Sequence, residues 1–400
     1  MKSNDTDPKQ LMGRRSFVAR AAALGAGVGL SAPILASCAD DKPRGTSTTP
    51  TSTNPTSVST AEVASDIASR DHDLKLIGVE ETFSTPELMQ LNSLNQDHID
   101  FLSEIGLADL GERRIGDMDE GGLDVQILSA HTPSVQNVPG QEGIDFAYRL
   151  NRLLVEGPMA SYPGRFQAFA TLPLQSPEEA ADELERSVRE DGFLGALTNG
   201  HIGGRFLDHP DFEPVLARAE SLDVPIYLHP GYPAQDVYDI YFATSRSEYT
   251  EEFQDYIFSG SGLGWHQEVL IQAVRMIAYG VFDRFPKLKI IMGHMGEGLP
   301  FYYERIANDM GEPTENSLEK PFEQYFQDNF WFTTSAFFQD NLLEQLLKYI
   351  SVDRVMFATD YPFIESIEQG TDWFRAVDLP REDKEKIAFR NAEKLFGITV

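Results

Sequence analysis

Lys289-Ile290-Ile291-Met292-Gly293-His294-Met295-Gly296-Glu297-Gly298-Leu299-Pro300 is the stretch on which the fold turns. An apolar run stops at a glycine and a histidine; glycines, a glutamate and a helix-starting proline follow. This is the pattern of a buried parallel strand feeding a βα loop, with ionisable side chains delivered at the strand's carboxyl end. Catalytic groups collect there in a parallel α/β barrel. One such strand end fits equally well a histidine that caps a strand and a glutamate in solvent. The other strand ends therefore carry the argument.

Working outward, short apolar runs alternate with helical stretches from about Asp73 onward. The expected strands are Leu74–Val79, Asp124–Leu128, Phe166–Leu172, Gly195–Thr198, Pro225–Leu228, Leu288–Met292, Trp331–Thr334 and Arg354–Ala358. Between them, apolar residues at three- and four-residue spacing predict helices over Gly143–Glu156, Pro210–Leu222, Trp265–Phe285 and Arg381–Phe396. Ser176-Pro177-Glu178-Glu179 reads as an N-cap, a first-turn proline and first-turn acids of a helix reaching about Arg189. Eight strands alternating with helices predict a (β/α)8 TIM barrel. No Gly-rich dinucleotide loop follows the first strand, which argues against an open doubly wound sheet. Insertions follow strands one (Phe83 to Gly122) and five (Gly231–Gly264). The second holds Tyr232, Tyr238, Tyr241, Phe242, Tyr249, Phe253, Tyr256 and Phe258, suited to a lid over the site or to a dimer contact.

The strand ends repeat the opening pattern. Strand one ends in Glu80-Glu81, strand five in His229-Pro230-Gly231, strand eight in Thr359-Asp360-Tyr361-Pro362, and strand seven in Thr333-Thr334-Ser335. Glu80, His229 and Asp360 form a mixed oxygen and nitrogen set for a divalent cation, with positions left for water or substrate. Each alone is most simply a satisfied strand-end hydrogen bond; their convergence with His294 and Glu297 favours a site. His131 and His266 are candidate pocket residues. His72, His98, His201 and His209 read as surface.

The N-terminus is of another kind. Gly13-Arg14-Arg15-Ser16-Phe17-Val18 is a twin-arginine pattern, and a weak Ala/Gly-rich apolar segment leads to Leu35-Ala36-Ser37-Cys38, similar to a lipoprotein processing box. Residues 1–38 are expected to be a Tat signal peptide and Cys38, the only cysteine, a lipid anchor; a soluble Tat substrate cleaved nearby is the alternative. Residues 39–72 read as a linker, since thirteen of fifteen residues from Thr46 to Thr60 are Ser, Thr or Pro. Residues 73–400 form the barrel domain. The expected location is periplasmic, with the membrane reached only through the anchor. With 63 acidic against 33 basic residues, the balance argues against nucleic acid as a partner.

From about Leu74 to Val400 the chain resembles the amidohydrolase-related (type 2) family, in its branch acting on hydroxybenzoates and similar acids. The resemblance rests on Val79-Glu80-Glu81-Thr82-Phe83-Ser84-Thr85-Pro86, Gly122-Leu123-Asp124-Val125-Gln126-Ile127-Leu128-Ser129, Val224-Pro225-Ile226-Tyr227-Leu228-His229-Pro230, the opening stretch, and Val355-Met356-Phe357-Ala358-Thr359-Asp360-Tyr361-Pro362-Phe363. It implies that Glu80, His229 and Asp360 hold a metal, Mn or Zn, that His294 and Glu297 stand behind it or face the substrate, and that the protein is a homo-oligomer. It also implies metal-dependent decarboxylation, with Asp360 as proton donor and His294, oriented by Glu297, as its helper. Thr82 stands where the family usually has a histidine, which favours manganese. Ala336-Phe337 stands where relatives have Gly-Asn, which implies a different substrate shape. The competing readings are a hydrolase of a lactone, amide or similar carbonyl on the same site, and a tethered binding lipoprotein without catalysis.

Overall fold

The computed structural model describes residues 71–400 except 93, 95 and 245–252. The signal, Cys38, nearly all of the linker, and Tyr249 lie outside the described residues.

Nine strands, β1 (Ile77–Phe83), β2 (Val125–Ala130), β3 (Phe166–Ala168), β4 (Ala170–Thr171), β5 (Ala196–Asn199), β6 (Pro225–His229), β7 (Lys289–Met292), β8 (Phe330–Thr333) and β9 (Val355–Met356), run in sequence order around a parallel barrel. The eight expected strands are all present, because the third is divided. At Phe169 the backbone changes partner: Phe169 N–H donates to Leu128 O, while Ala170 N–H donates to Gly195 O. Between β9 and β1 the barrel closes through Val79 N–H to Phe357 O (3.1 Å) and Thr82 N–H to Tyr361 O (2.8 Å).

The inward residues Ile77, Val79, Val125, Ile127, Phe169, Leu197, Tyr227, Ile291 and Met356 fill the barrel. A bond from Lys75 Nζ to Val400 O ties the chain's end to the start of β1, so the last helix, Asn391–Phe396, closes the amino-terminal mouth. Phe396 meets Phe169 there, ring centroids 5.7 Å apart. Outward residues such as Leu128, Ala168, Ile226 and Ile290 pack against the helices as one continuous core.

Several expected bounds shift. β1 begins at Ile77 and runs through Glu80 and Glu81 to Phe83, because a register irregularity between Gly78 and Glu81 lets it keep pairing with β2. His229 is the last residue of β6, and β9 stops at Met356. The helix expected over Gly143–Glu156 spans Gly140–Leu154, and that over Trp265–Phe285 divides at Gly280 into Gly264–Ala278 and Val281–Arg284. Two more change their winding partway: Pro210–Leu222 opens as a 3-10 turn and Arg381–Phe396 contains a π-helical segment. Ser176 caps Pro177–Asp191 without a side-chain bond; its carbonyl accepts from Ala180 N–H instead. The first insertion folds into Pro86–Leu91, Gln96–Glu104 and Glu112–Gly121. His98, His201 and His209, expected at the surface, are half-buried.

Asn151 secures the interrupted third strand. Its Oδ1 accepts from Thr171 N–H (2.9 Å), its Nδ2 donates to Thr171 O (3.0 Å), and the residue is fully buried. It replaces with one side chain the ladder that β4 lacks on that side. Asn151→Ala is expected to lower the unfolding free energy by roughly 2–4 kcal/mol, since both backbone groups lose their partner without access to water. Urea unfolding should show a lower midpoint at unchanged slope.

Candidate metal centre

The carboxyl ends of β1, β6 and β7, and the segment after β9, place Glu80, His229, His294 and Asp360 in one cleft. Glu80 faces inward only because of the irregularity in β1. Gly78 pairs with Gln126 and Glu81 with Leu128, so three steps on β1 match two on β2. Val79 and Glu80 therefore both face the barrel interior, while Glu81 turns to the helix side with Leu128 and Phe83.

The two oxygens of Glu80 have opposite environments. Oε2 accepts from Tyr227 Oη and Ser335 Oγ, with Thr333 Oγ1 at 3.4 Å. Burial, and then the Glu80 charge, push the Tyr227 phenol well above its ordinary pKa, which keeps it a donor. Oε1 is buried and has no hydrogen-bond partner among the described residues. It lies 3.5 Å from His229 Nε2 and 4.0 Å from His294 Nε2.

Both imidazoles present Nε2 to this oxygen. His229 Nδ1 lies 2.8 Å from Pro230 O, which can only accept, so Nδ1 carries the proton and Nε2 keeps its lone pair. His294 Nδ1 lies 2.8 Å from Glu297 Oε1, and its Nε2 stands 3.7 Å from Asp360 Oδ2. Burial opposes charge on His294, but Glu297 and Glu80 outweigh it and hold its pKa well above the usual range. Burial likewise opposes the charge of Glu297, and the imidazoles of His294 and His266 outweigh it and lower its pKa. His266 Nδ1 bonds the other Glu297 oxygen, and its Nε2 lies 2.9 Å from Ser261 O.

Glu80, His294 and Asp360 each bring one donor atom within 4.8 Å of the others; His266, His294 and Glu297 do the same. The first group holds His294 where the sequence suggested His229; His229 approaches the cleft through Glu80 Oε1 at 3.5 Å. His294 thus faces the same space as Glu80 and Asp360, not only a substrate across from them. His294 and Glu297 achieve this through left-handed backbone, at φ of 47° and 56°, in a tight turn after Gly293. A Cβ at Gly293 would stand 2.7 Å from Glu80 Oε2 and 2.9 Å from Tyr227 Oη, so only glycine lets that turn approach.

Thr82 is buried and its hydroxyl is unpartnered among the described residues. The aromatic insertion divides: Tyr232 meets Trp265 (5.3 Å), which meets His229 (6.2 Å), whereas Tyr241 points outward. Phe337 packs on His266 and His294 at 5.5 and 5.8 Å. His131, also a pocket candidate, stacks on Phe363 at 5.1 Å. Burial, with His229 nearby, lowers its pKa to about 3.

Sequence reading missed the hydroxyl set on Glu80. Tyr227 lies two residues before His229 on one strand and must share its face, which was the available signal. Nothing in the sequence pointed to the pairing of His266 with Glu297.

Comparison with known proteins matches this architecture. An amidohydrolase family model matches residues 108–398. The gamma-resorcylate decarboxylase of Rhizobium sp. (strain MTP-10005) is 37% identical over 334 residues, covering 80% of this chain and 98% of that relative. A crystal structure of 2,6-dihydroxybenzoate decarboxylase complexed with 2,6-dihydroxybenzoate has a TM-score of 0.72 at 36% identity, covering 81% of this chain and 100% of that one. The dihydroxybenzoic acid decarboxylase of Polaromonas sp. JS666, with bound manganese and the inhibitor 2-nitroresorcinol, gives 0.72 and 36%, covering 81% and 97%. The chain is a (β/α)8 barrel and belongs to the amidohydrolase family.

Proposed function

We propose that this protein is a metal-dependent carboxy-lyase that removes the carboxylate of a hydroxybenzoate-like acid without oxidation, with manganese as the metal. The observation that carries the reading is the bare Oε1 of Glu80, a carboxylate oxygen buried with no hydrogen-bond partner among the described residues and faced by the lone pair of His229 Nε2 at 3.5 Å. Burying such an oxygen unpaired costs several kcal/mol, which a cation relieves. The donor set of two carboxylates and one imidazole fits manganese, and Thr82 adds no nitrogen to it. The kinship to relatives named as decarboxylases, one with manganese bound, supports the same reading.

Glu80, His229 and Asp360 would hold the metal, with His294 Nε2 left to face the substrate beside Asp360 Oδ2. When bound, the metal supplies positive charge that fixes an acidic substrate in the cleft. Loss of carbon dioxide breaks the bond from the ring to its carboxyl carbon and leaves the electron pair on the ring, which must take a proton. Asp360, whose side chain is 15% exposed at the mouth, donates that proton and regains one from solvent. His294, held by Glu297, steadies the charge that moves into the ring. Trp265, Tyr232 and Phe337 exclude water around a flat substrate.

The test is to incubate manganese-loaded protein with 2,6-dihydroxybenzoate, related hydroxybenzoates and a lactone panel, measuring carbon dioxide and ring opening separately. Carbon dioxide from a hydroxybenzoate is expected. Lactone opening with no carbon dioxide from any aryl acid would replace this reading with a hydrolase.

We infer further that the chain is exported by the Tat pathway to the periplasm and anchored through lipid on Cys38. The support is residues 13–38. Fatty-acid labelling that Cys38→Ala abolishes is the expected result. We also infer a homo-oligomer. Its support is exposed apolar side chains, among them Phe301 (82%), Ile240 (75%) and Tyr241 (70%). Light scattering should give a multiple of the chain mass.

A further inference from the structure

We propose that Glu81 is a positioning residue whose carboxylate fixes the backbone on both sides of Asp360 and so sets where the Asp360 side chain stands. The proposal rests on the reading above that Asp360 belongs to the metal centre and gives the proton.

Asp360 has a φ of 68°, left-handed backbone that a residue with a Cβ adopts at a cost of about 1 kcal/mol or more. Left alone, residue 360 would relax and swing its carboxylate away from His294. The fold opposes this with backbone bonds at Asp360 N–H and Tyr361 O and, on both neighbours of Asp360, with one buried side chain. Glu81 Oε1 accepts from Thr359 N–H (2.9 Å); its Oε2 accepts from Thr359 Oγ1 (2.6 Å) and Tyr361 N–H (3.2 Å). All three donors belong to the two neighbours of Asp360.

Glu81 is fully buried, so water cannot replace these bonds. Nor is the carboxylate taken up by Arg114, the buried cation on that side. Arg114 spends its nitrogens on Asp109 O, Gln126 Oε1 and Thr82 O, and lies over the Tyr361 ring at 4.8 Å.

The seam of the barrel does not depend on Glu81. Asp360 N–H to Glu80 O, Thr82 N–H to Tyr361 O and Val79 N–H to Phe357 O are backbone bonds in which its side chain takes no part. Gly78 completes the device: a Cβ there would stand 2.2 Å from Glu81 Oε1, so the carboxylate occupies space that only glycine leaves. The irregularity in β1 thus does two jobs at once, sending Glu80 inward and Glu81 to the Asp360 segment.

The experiment uses the purified full-length chain and four variants. Glu81→Ala removes the clamp, and Gly78→Ala displaces it while keeping the acid. Thr359→Val removes one donor, and Thr359→Ser keeps it. Manganese affinity of the metal-free protein, its melting temperature without metal, and kcat and KM on 2,6-dihydroxybenzoate are measured for each. Glu81→Ala and Gly78→Ala are expected to weaken manganese binding about 10–100-fold and lower kcat by a similar factor, with KM nearly unchanged. Thr359→Ser should recover most of what Thr359→Val loses.

Folded Glu81→Ala or Gly78→Ala protein with manganese affinity and kcat within about two-fold of the original would overturn the proposal. So would Thr359→Ser as damaged as Thr359→Val. Should Glu81→Ala fail to fold, the folding role excludes positioning unless Gly78→Ala and the Thr359 pair give the expected pattern in folded protein. The affinity arm needs no substrate. If the unmodified protein releases no carbon dioxide, the decarboxylase reading falls and Glu81 is still judged.

Discussion

Asp360→Asn is expected to reduce kcat about 10²–10⁴-fold, the range for removing a positioned proton donor. The amide is nearly the same size and keeps one oxygen toward His294 Nε2, so the cleft keeps its shape. What it loses is an acidic proton to give to the ring carbon and a negative charge to share with Glu80. Initial rates at saturating manganese and substrate measure the first loss; manganese titration measures the second. A variant that binds manganese as before and still turns over within ten-fold would exclude Asp360 as the donor. Dependence of the residual rate on added small acids would support it, because an external donor would be replacing the missing one.

The second large effect is at Glu80. In Glu80→Gln, Tyr227 Oη and Ser335 Oγ both donate, so the amide oxygen must take the Oε2 place. The amide nitrogen then points its protons at His229 and His294, turning the bare acceptor into a donor that repels a cation. Manganese binding and activity should both be lost. Manganese at a hundred times its Kd adds about 2.7 kcal/mol to a protein that binds it only when folded. That increment, read as a melting shift abolished by chelator, should be present in the unmodified protein and absent in Glu80→Gln. A variant that keeps the shift would show that Glu80 does not hold the metal.

Much of the site was legible in one dimension because a parallel barrel exposes only its strand ends. A histidine or acid that follows an apolar run is carried to one mouth whatever the loops do, so Glu80, His229, His294 and Asp360 stand out as candidates from the sequence. The strand-one bound was misplaced for a related reason. Glu80 and Glu81 look like the end of an apolar run, whereas they lie inside β1. Hydrophobic pattern cannot report a strand that continues through buried carboxylates, since what satisfies those carboxylates lies elsewhere in the chain. Thr359 and Tyr361, Glu81's partners, are nearly three hundred residues away.

The sequence by itself determined the alternation of strands and helices, the mouth at which the chemistry sits, and the kinds of donor gathered there. These follow from periodicity and residue type, which are local. Only the tertiary structure decided which way each donor points. The irregularity in β1 turns Glu80 inward and Glu81 outward, and positive φ at His294, Glu297 and Asp360 aims those side chains. Proton positions on His229 and His294 follow from Pro230 O and Glu297. Each costs locally and is held by contacts between distant strands, and so it exists only once the barrel has closed.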